Sequence, residues 1–293
     1  MKKIVTLFLT IISLAATAQD DLMKELEQSQ KKETELVKQT FKGSRLVNGQ
    51  TIETRGKGEL EFIFAHRFGD VSTGAYNLYG LDQAYVRIGL EYGIANRFNI
   101  GIGRNSVDKT VDSYLRYKLL AQSTGVKNIP VTITAYVNAG IRLSPRQQDV
   151  TYNITTQDRM SYIYQLLIAR KFSPAFSLQL MPTFVHKNMA DARIENNDTF
   201  VLGAGGRMKI TKSAAIIGEY YQRFNVHVNN PYHNVIGIGL EIETGGHVFQ
   251  IVLTNTNGLT ERAVLTETTG KFFNGNINLG FNVTRNFQLV KKR

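Results

Sequence analysis

Apolar and polar residues alternate along most of the chain from about residue 58 onward. This is the period that side chains follow in a β-strand with one apolar face. Ile88 and Leu90, for example, point to one side of their segment, whereas Arg87 and Glu91 point to the other. The pattern predicts twelve strands, at 58–66, 82–93, 97–104, 110–120, 130–142, 160–172, 175–186, 198–210, 213–224, 233–243, 246–254 and 274–287.

The links between these segments alternate in length. The short links are 94–96, 173–174, 211–212 and 244–245, with 121–129 as a longer member of the set. The long links are 67–81, 105–109, 143–159, 187–197, 225–232 and 255–273. Short turns at one rim and long loops at the other are typical of outer-membrane barrels, in which the short turns are periplasmic. We therefore predict an all-β fold, a transmembrane up-and-down antiparallel β-barrel of about twelve strands with a short N-terminal helical or disordered leader.

The first residues have the order of a secretory signal peptide. Lys2 and Lys3 precede the apolar run Ile4–Leu14, and small residues then place a cleavage site between Ala18 and Gln19. The run is too short for a membrane anchor, which needs about 20 residues. We expect export to the outer membrane. The predicted segments are a signal peptide at 1–18, a periplasmic N-terminal segment at 19–57, the barrel at 58–287 and a basic tail at 288–293.

The polar face of the predicted strands carries many charges. They are Arg87, Glu91, Arg116, Lys118, Arg142, Arg207, Lys209, Glu219, Arg223 and Glu241. If they face a barrel lumen, two interpretations are open. The charges either pair and make a filled, closed structural barrel, or their basic excess lines a passive channel for small anions. A soluble exported β-sandwich that binds a ligand would show the same alternation. The length of the strands, and the Tyr and Phe residues near their ends, favour the barrel.

Several segments resemble one family along most of the chain. They include Thr40–Gly49, His66–Gly69, Gly80–Asp82, Gly101–Arg104, Leu166–Phe172, Leu202–Arg207, Ile242–Gln250 and Gly280–Arg285. Together they resemble an uncharacterised family of Bacteroidota outer-membrane β-barrel proteins, a domain of unknown function. The resemblance covers about Thr40 to Phe287; it implies an outer-membrane barrel and brings no activity. Many such barrels end on an aromatic residue that the assembly machinery reads, whereas here six residues follow Phe287.

Composition removes several classes of chemistry. The chain has no Cys, which excludes disulfides, thiolate metal sites and a cysteine nucleophile. Its formal net charge is +11, but no basic run is longer than Lys291–Arg293, so we expect no nucleic-acid binding. Outer-membrane lipid, lipopolysaccharide and the barrel-assembly machinery are the expected partners, and the oligomeric state stays open.

Motifs of catalysis or cofactor binding are weak. Glycine pairs such as Gly101/Gly103, Gly203/Gly205 and Gly237/Gly239 lie inside strands and complete no nucleotide-binding motif, so we interpret them as room for neighbouring side chains in a narrow lumen. The five histidines have no metal-site spacing, and the His-x-Ser-Asn-Gly pattern of outer-membrane phospholipases is absent. We predict no enzyme, no cofactor and no metal; a lipid hydrolase is the least favoured alternative.

Overall fold

The computed structural model of the chain describes residues 33–143 and 153–290. The predicted cleavage site at Ala18 and Gln19, and the last three residues of the basic tail, lie outside these ranges. The chain divides into two units. In the smaller one, the described residues include two short strands, Glu35–Leu36 and Ser123–Thr124, which pair antiparallel with Glu35 opposite Thr124.

The larger unit is a closed barrel of twelve antiparallel strands, β1 to β12, which confirms the predicted fold class. In order, they are Glu59–Asp70, Ala84–Ala95, Phe98–Asn105, Val111–Leu120, Thr132–Ile141, Met160–Lys171, Phe176–Lys187, Asp198–Lys209, Ala214–Phe224, Val235–Thr244, His247–Thr254 and Asn278–Gln288. Each strand pairs with its neighbours in sequence, and β12 closes the barrel on β1, with Phe287 opposite Leu60. A closed barrel leaves no strand edge unpaired, which excludes the soluble sandwich that we kept as an alternative.

The alternation of side chains puts apolar residues outside and polar residues inside. Ile88, Leu90 and Ile102 are about half exposed on the outer wall, whereas Arg87 and Glu91 are at most 1% exposed inside. This is the reverse of a soluble protein and fits strands that face lipid. No helix in the described ranges has the length and apolar character to cross a membrane.

The two rims of the barrel differ. Tight links at 96–97, 172–175, 210–213 and 245–246 form what we call the short-turn rim, and the long links form the long-loop rim. Gly245 and Gly246 join β10 to β11 in two residues with φ of 45° and 96°, a backbone that glycine adopts without steric cost.

The lumen is filled by two segments that are not barrel strands. The lumen hairpin, residues 40–55, turns back on itself through a bridge between Arg45 and Gln50, and all of residues 40–52 except Lys42 are buried. The lumen loop, residues 255–270, carries the short helix α1, Glu261–Thr266, whose residues are all buried. Thr260 begins α1 by accepting a hydrogen bond from the Ala263 amide.

The position of the lumen hairpin differs from our expectation that residues 19–57 form a periplasmic segment. The twelve strands leave more space than their own inward side chains fill. Apolar residues of the hairpin occupy that space and join the buried core, and they are Phe41, Leu46, Val47 and Ile52.

Candidate functional site in the barrel lumen

One pair of lumen charges spans three strands. Arg87 on β2 places Nη2 at 2.5 Å from Asp112 Oδ1 on β4, and its Nε lies 3.1 Å from Asp112 Oδ2. The guanidinium crosses Gly103 on the intervening strand, where a Cβ would lie 2.2 Å from Nη2. A side chain at position 103 would therefore displace the guanidinium from this position, in line with our interpretation of the inward glycines as room for neighbouring side chains. The sequence put Arg87 and Glu91 on the same face, but Asp112 was absent from our predicted lumen charges.

A second network surrounds Glu91. Arg116 Nη2 lies 3.2 Å from Glu91 Oε2, and both side chains are fully buried. The Tyr114 hydroxyl donates to the same oxygen at 3.0 Å, and Asn99 Nδ2 donates to Glu91 Oε1 at 3.0 Å. Three side-chain donors of the neighbouring strands thus hold Glu91, and each of its two oxygens has a protein donor.

Arg116 also binds the backbone of the lumen hairpin. Its Nη1 donates to the carbonyl oxygens of Thr51 at 2.5 Å and Glu53 at 2.9 Å. Gln179 on β7 bonds the same stretch in both directions, accepting from the Ile52 amide at 2.9 Å and donating to the Gln50 carbonyl at 2.8 Å. One arm of the hairpin is therefore fixed through its main chain.

A carboxylate, not a guanidinium, holds the turn of the hairpin. Glu219 on β9 accepts three backbone N–H bonds, from Val47 at 3.2 Å, Asn48 at 2.8 Å and Gly49 at 3.1 Å. Arg67 on β1 donates to the Val47 carbonyl at 3.0 Å, so both polarities of the turn backbone are satisfied. Arg67 is 1% exposed and was not among the predicted residues, because the predicted strand ended at residue 66, whereas β1 continues to Asp70.

The hairpin and the lumen loop meet at Glu261. Its Oε1 lies 3.2 Å from Arg45 Nη2 and accepts from Gln50 Nε2 at 2.5 Å. Burial alone would raise the pKa of Glu261, but the positive charges of Arg45 and Arg87 outweigh it and hold the pKa below its ordinary value. A carboxylate of the loop from one rim is thereby paired with a guanidinium of the hairpin from the other.

The remaining predicted charges lie nearer the rims. Arg207 Nε lies 2.6 Å from Glu241 Oε1, and Gln250 donates to the second oxygen of Glu241 at 3.0 Å. At the long-loop rim, Arg142 is within 3.8 Å of carboxylate oxygens of Asp108 and Glu267, and Arg223 bonds Asn230. Lys118 and Lys209 are half-buried, and neither has an ion-pair partner among the described residues.

The middle of the lumen is closed to water. Arg116, Glu91 and Tyr136 are each 0% exposed, whereas a continuous water path would touch some of these side chains. A cavity of about 10 Å³ lies between the lumen hairpin and the lumen loop, beside Gln50 and Glu261, and the larger cavities lie toward the rims. One of about 230 Å³ is lined by Asp108, Arg262 and Glu267, and one of about 200 Å³ by Lys42, Arg55 and Glu243.

A family model matches residues 41–287, which is most of the chain. It is described as a membrane bound beta barrel domain, DUF5777. The chain belongs to this family. The match begins at Phe41, so the domain of this family includes most of the lumen hairpin as well as all twelve strands. It confirms the resemblance to a barrel family of unknown function and shows a membrane-bound protein; the Bacteroidota assignment stays a prediction.

The chain also aligns with solved structures of porins. The NanC porin aligns at 10% identity over 77% of this chain and 98% of its own, with a TM-score of 0.48. The KdgM porin aligns at 9% identity over 78% and 99%, with a TM-score of 0.46. A mutant of the Rhodopseudomonas blastica porin aligns at 12% identity over 69% and 55%, with a TM-score of 0.32. No curated protein matches the chain.

Proposed function

We propose that this protein is an exported outer-membrane barrel that is closed at rest and acts as a structural protein, not as an enzyme or an open channel. The observation that carries the proposal is the lumen hairpin, which fills the bore and is bound by the barrel wall along one arm and at its turn. In this arrangement the short-turn rim faces the periplasm, as in other outer-membrane barrels.

The bonds that hold the hairpin support a stable plug. They join charged barrel side chains to backbone groups of the hairpin, and a hydrogen bond to a charged group contributes about 1.5–3 kcal/mol. Glu219 accepts three such bonds and Arg116 donates two. Spontaneous release would break all of them together with the burial of Phe41 and Ile52, so the closed state should dominate.

Single-channel recording in a planar bilayer tests the proposal. The chain from Gln19 onward should insert without steady conductance, whereas a variant lacking residues 40–55 should conduct. Heat-modifiable gel mobility checks that both are folded. Steady conductance of the chain with its hairpin present would refute a barrel closed at rest.

A channel that opens when the hairpin leaves is a second candidate. The specific observation in its favour is that the wall residues that bind the hairpin are charged, so they would line a wet bore after its release. Among the inward wall charges discussed above, the cations Arg67, Arg87, Arg116, Arg142, Arg207 and Arg223 outnumber the acids. Such a bore would favour small anions. A reversal potential measured on the variant without residues 40–55 checks this preference.

A further inference from the structure

The outer wall carries an apolar groove that the closed lumen does not explain. Its volume is about 590 Å³, within the roughly 300–1,000 Å³ of small-molecule sites. It crosses β6 to β9, and its outward-facing lining includes Arg170, Phe172, Leu178, Leu180, Ala204 and Tyr220. The groove exists because small residues stand where large ones would fill it: Ala204 lies opposite Leu180 and Tyr220, and Gly218 lies opposite Gly206.

Gly218 is not required by the backbone. A Cβ there would meet nothing closer than 3.7 Å, and its φ is not in the left-handed region. A larger side chain would therefore fit at this position and fill the groove. The open space is a property of the lipid-facing surface and not a consequence of strand packing.

The groove has one charged end. Arg170 lies on β6 next to the short-turn rim, is exposed, and stacks its guanidinium 5.0 Å from the centre of the Phe172 ring. In the described ranges it has no ion-pair partner. From Arg170 the groove runs over Leu178 and Leu180 to Gly218 and Tyr220, which lie in the middle of β9, so a cation stands at the membrane surface and an apolar channel extends toward the centre of the bilayer.

We propose that this groove is a binding site for one glycerophospholipid of the leaflet at the short-turn rim. Its phosphate would pair with Arg170, and one acyl chain would lie along Leu178, Ala204 and Gly218. A guanidinium near a membrane surface binds phosphate strongly. An acyl chain in the apolar groove would fill the space between its apolar side chains.

A second copy of the chain fits this surface less well. In a symmetric dimer in the membrane the same patch meets itself, so both copies of Arg170 would lie at the same depth in one interface. The acid among the lining residues, Glu219, has its carboxylate inside the lumen, bound to the hairpin. The groove therefore offers no negative charge to offset the repulsion, whereas a lipid phosphate does.

Native mass spectrometry of the delipidated protein in detergent, titrated with phosphatidylglycerol, tests the site. The wild-type chain should bind one lipid. Arg170→Ala should weaken binding about tenfold or more, as expected for loss of a charge-assisted hydrogen bond, and Gly218→Leu should abolish it by filling the groove. Diacylglycerol with the same chains, which lacks the phosphate, should bind weakly to the wild type and equally weakly to Arg170→Ala.

Arg285 provides a matched control. It is also exposed near the short-turn rim and stacks on an aromatic ring, Phe287, at 4.8 Å, but it lines no part of this groove. Arg285→Ala should bind the lipid as the wild type does. Equal weakening by Arg170→Ala and Arg285→Ala, unchanged binding by folded Gly218→Leu, or a dimer that Gly218→Leu dissociates would each overturn the proposal; heat-modifiable mobility shows which variants are folded.

Discussion

Replacing Glu219 by Gln should release the turn of the lumen hairpin. The carboxylate accepts the amides of Val47, Asn48 and Gly49, and it is 5% exposed. An amide side chain keeps one acceptor oxygen and turns an NH₂ group toward the other donors. If about two of the three bonds are lost at about 1.5 kcal/mol each, the hairpin loses about 3 kcal/mol of binding free energy. That corresponds to roughly a 100-fold larger population of released hairpin.

The chain has no Cys, so a single introduced thiol reports on the hairpin alone. Ser44 is a suitable position, because it is 0% exposed and its Oγ has no hydrogen-bond partner that a substitution would remove. In a Ser44→Cys background, a water-soluble maleimide should react about 100-fold faster with Glu219→Gln than with the parent, provided that labelling follows the released population.

Glu243→Gln is the matched control for this measurement. Glu243 pairs with Lys42 of the same hairpin at 2.9 Å, but its side chain is 37% exposed, so the pair should contribute only about 0–1 kcal/mol. Its labelling rate should rise less than tenfold. If Glu219→Gln labels no faster than Glu243→Gln while the barrel stays heat-modifiable, Glu219 does not hold the hairpin and our reasoning is wrong.

Three further predictions concern the lumen and the absence of catalysis. Glu91→Ala leaves the buried Arg116 without its carboxylate and should lower the free energy of unfolding by about 3–5 kcal/mol without creating conductance. The same should hold for Arg207→Ala. Unchanged stability with an altered ion preference in either variant would instead indicate a wet pore. The lowered pKa of Glu261 means that its stabilising contribution is present above the ordinary glutamate pKa of about 4.3 and is lost as pH falls through the lowered value. Unfolding midpoints measured between about pH 6 and pH 2 should therefore fall more for the parent than for Glu261→Gln. Purified protein should not hydrolyse phospholipid, and an activity that disappears in His233→Ala would contradict the non-enzymatic assignment.

The strands and the closure of the barrel were predictable from the sequence because they depend on a local period. A strand between lipid and a polar interior must alternate, and Ile88, Leu90, Arg87 and Glu91 show this without reference to any other strand. The links were predictable for a related reason. Their lengths alternate along the chain, and this alternation assigns each link to a rim.

The partners of the lumen charges were not predictable in the same way. Arg87 binds Asp112, which lies two strands away, and reaches it across Gly103. That geometry depends on the stagger between strands, which the sequence of one strand does not contain. Asp112 stands at an inward position of a predicted strand, so a stricter use of the alternation would have included it, whereas Arg67 lies just beyond the predicted strand 58–66.

The lumen hairpin was missed because its signal is not periodic. A segment without regular strand or helix pairing carries backbone N–H and C=O groups that must find partners once they are buried. Here the barrel wall supplies these partners: Glu219 meets three amides, Arg116 two carbonyls, and Gln179 one of each. The inward charges are therefore complementary to a main chain, and this explains why they need not pair only with one another across the lumen. Because the wall side chains bind main-chain atoms of the hairpin, the identity of the wall residues matters more for this binding than the identity of the hairpin side chains. The charges of the strands therefore mark the place where the hairpin binds.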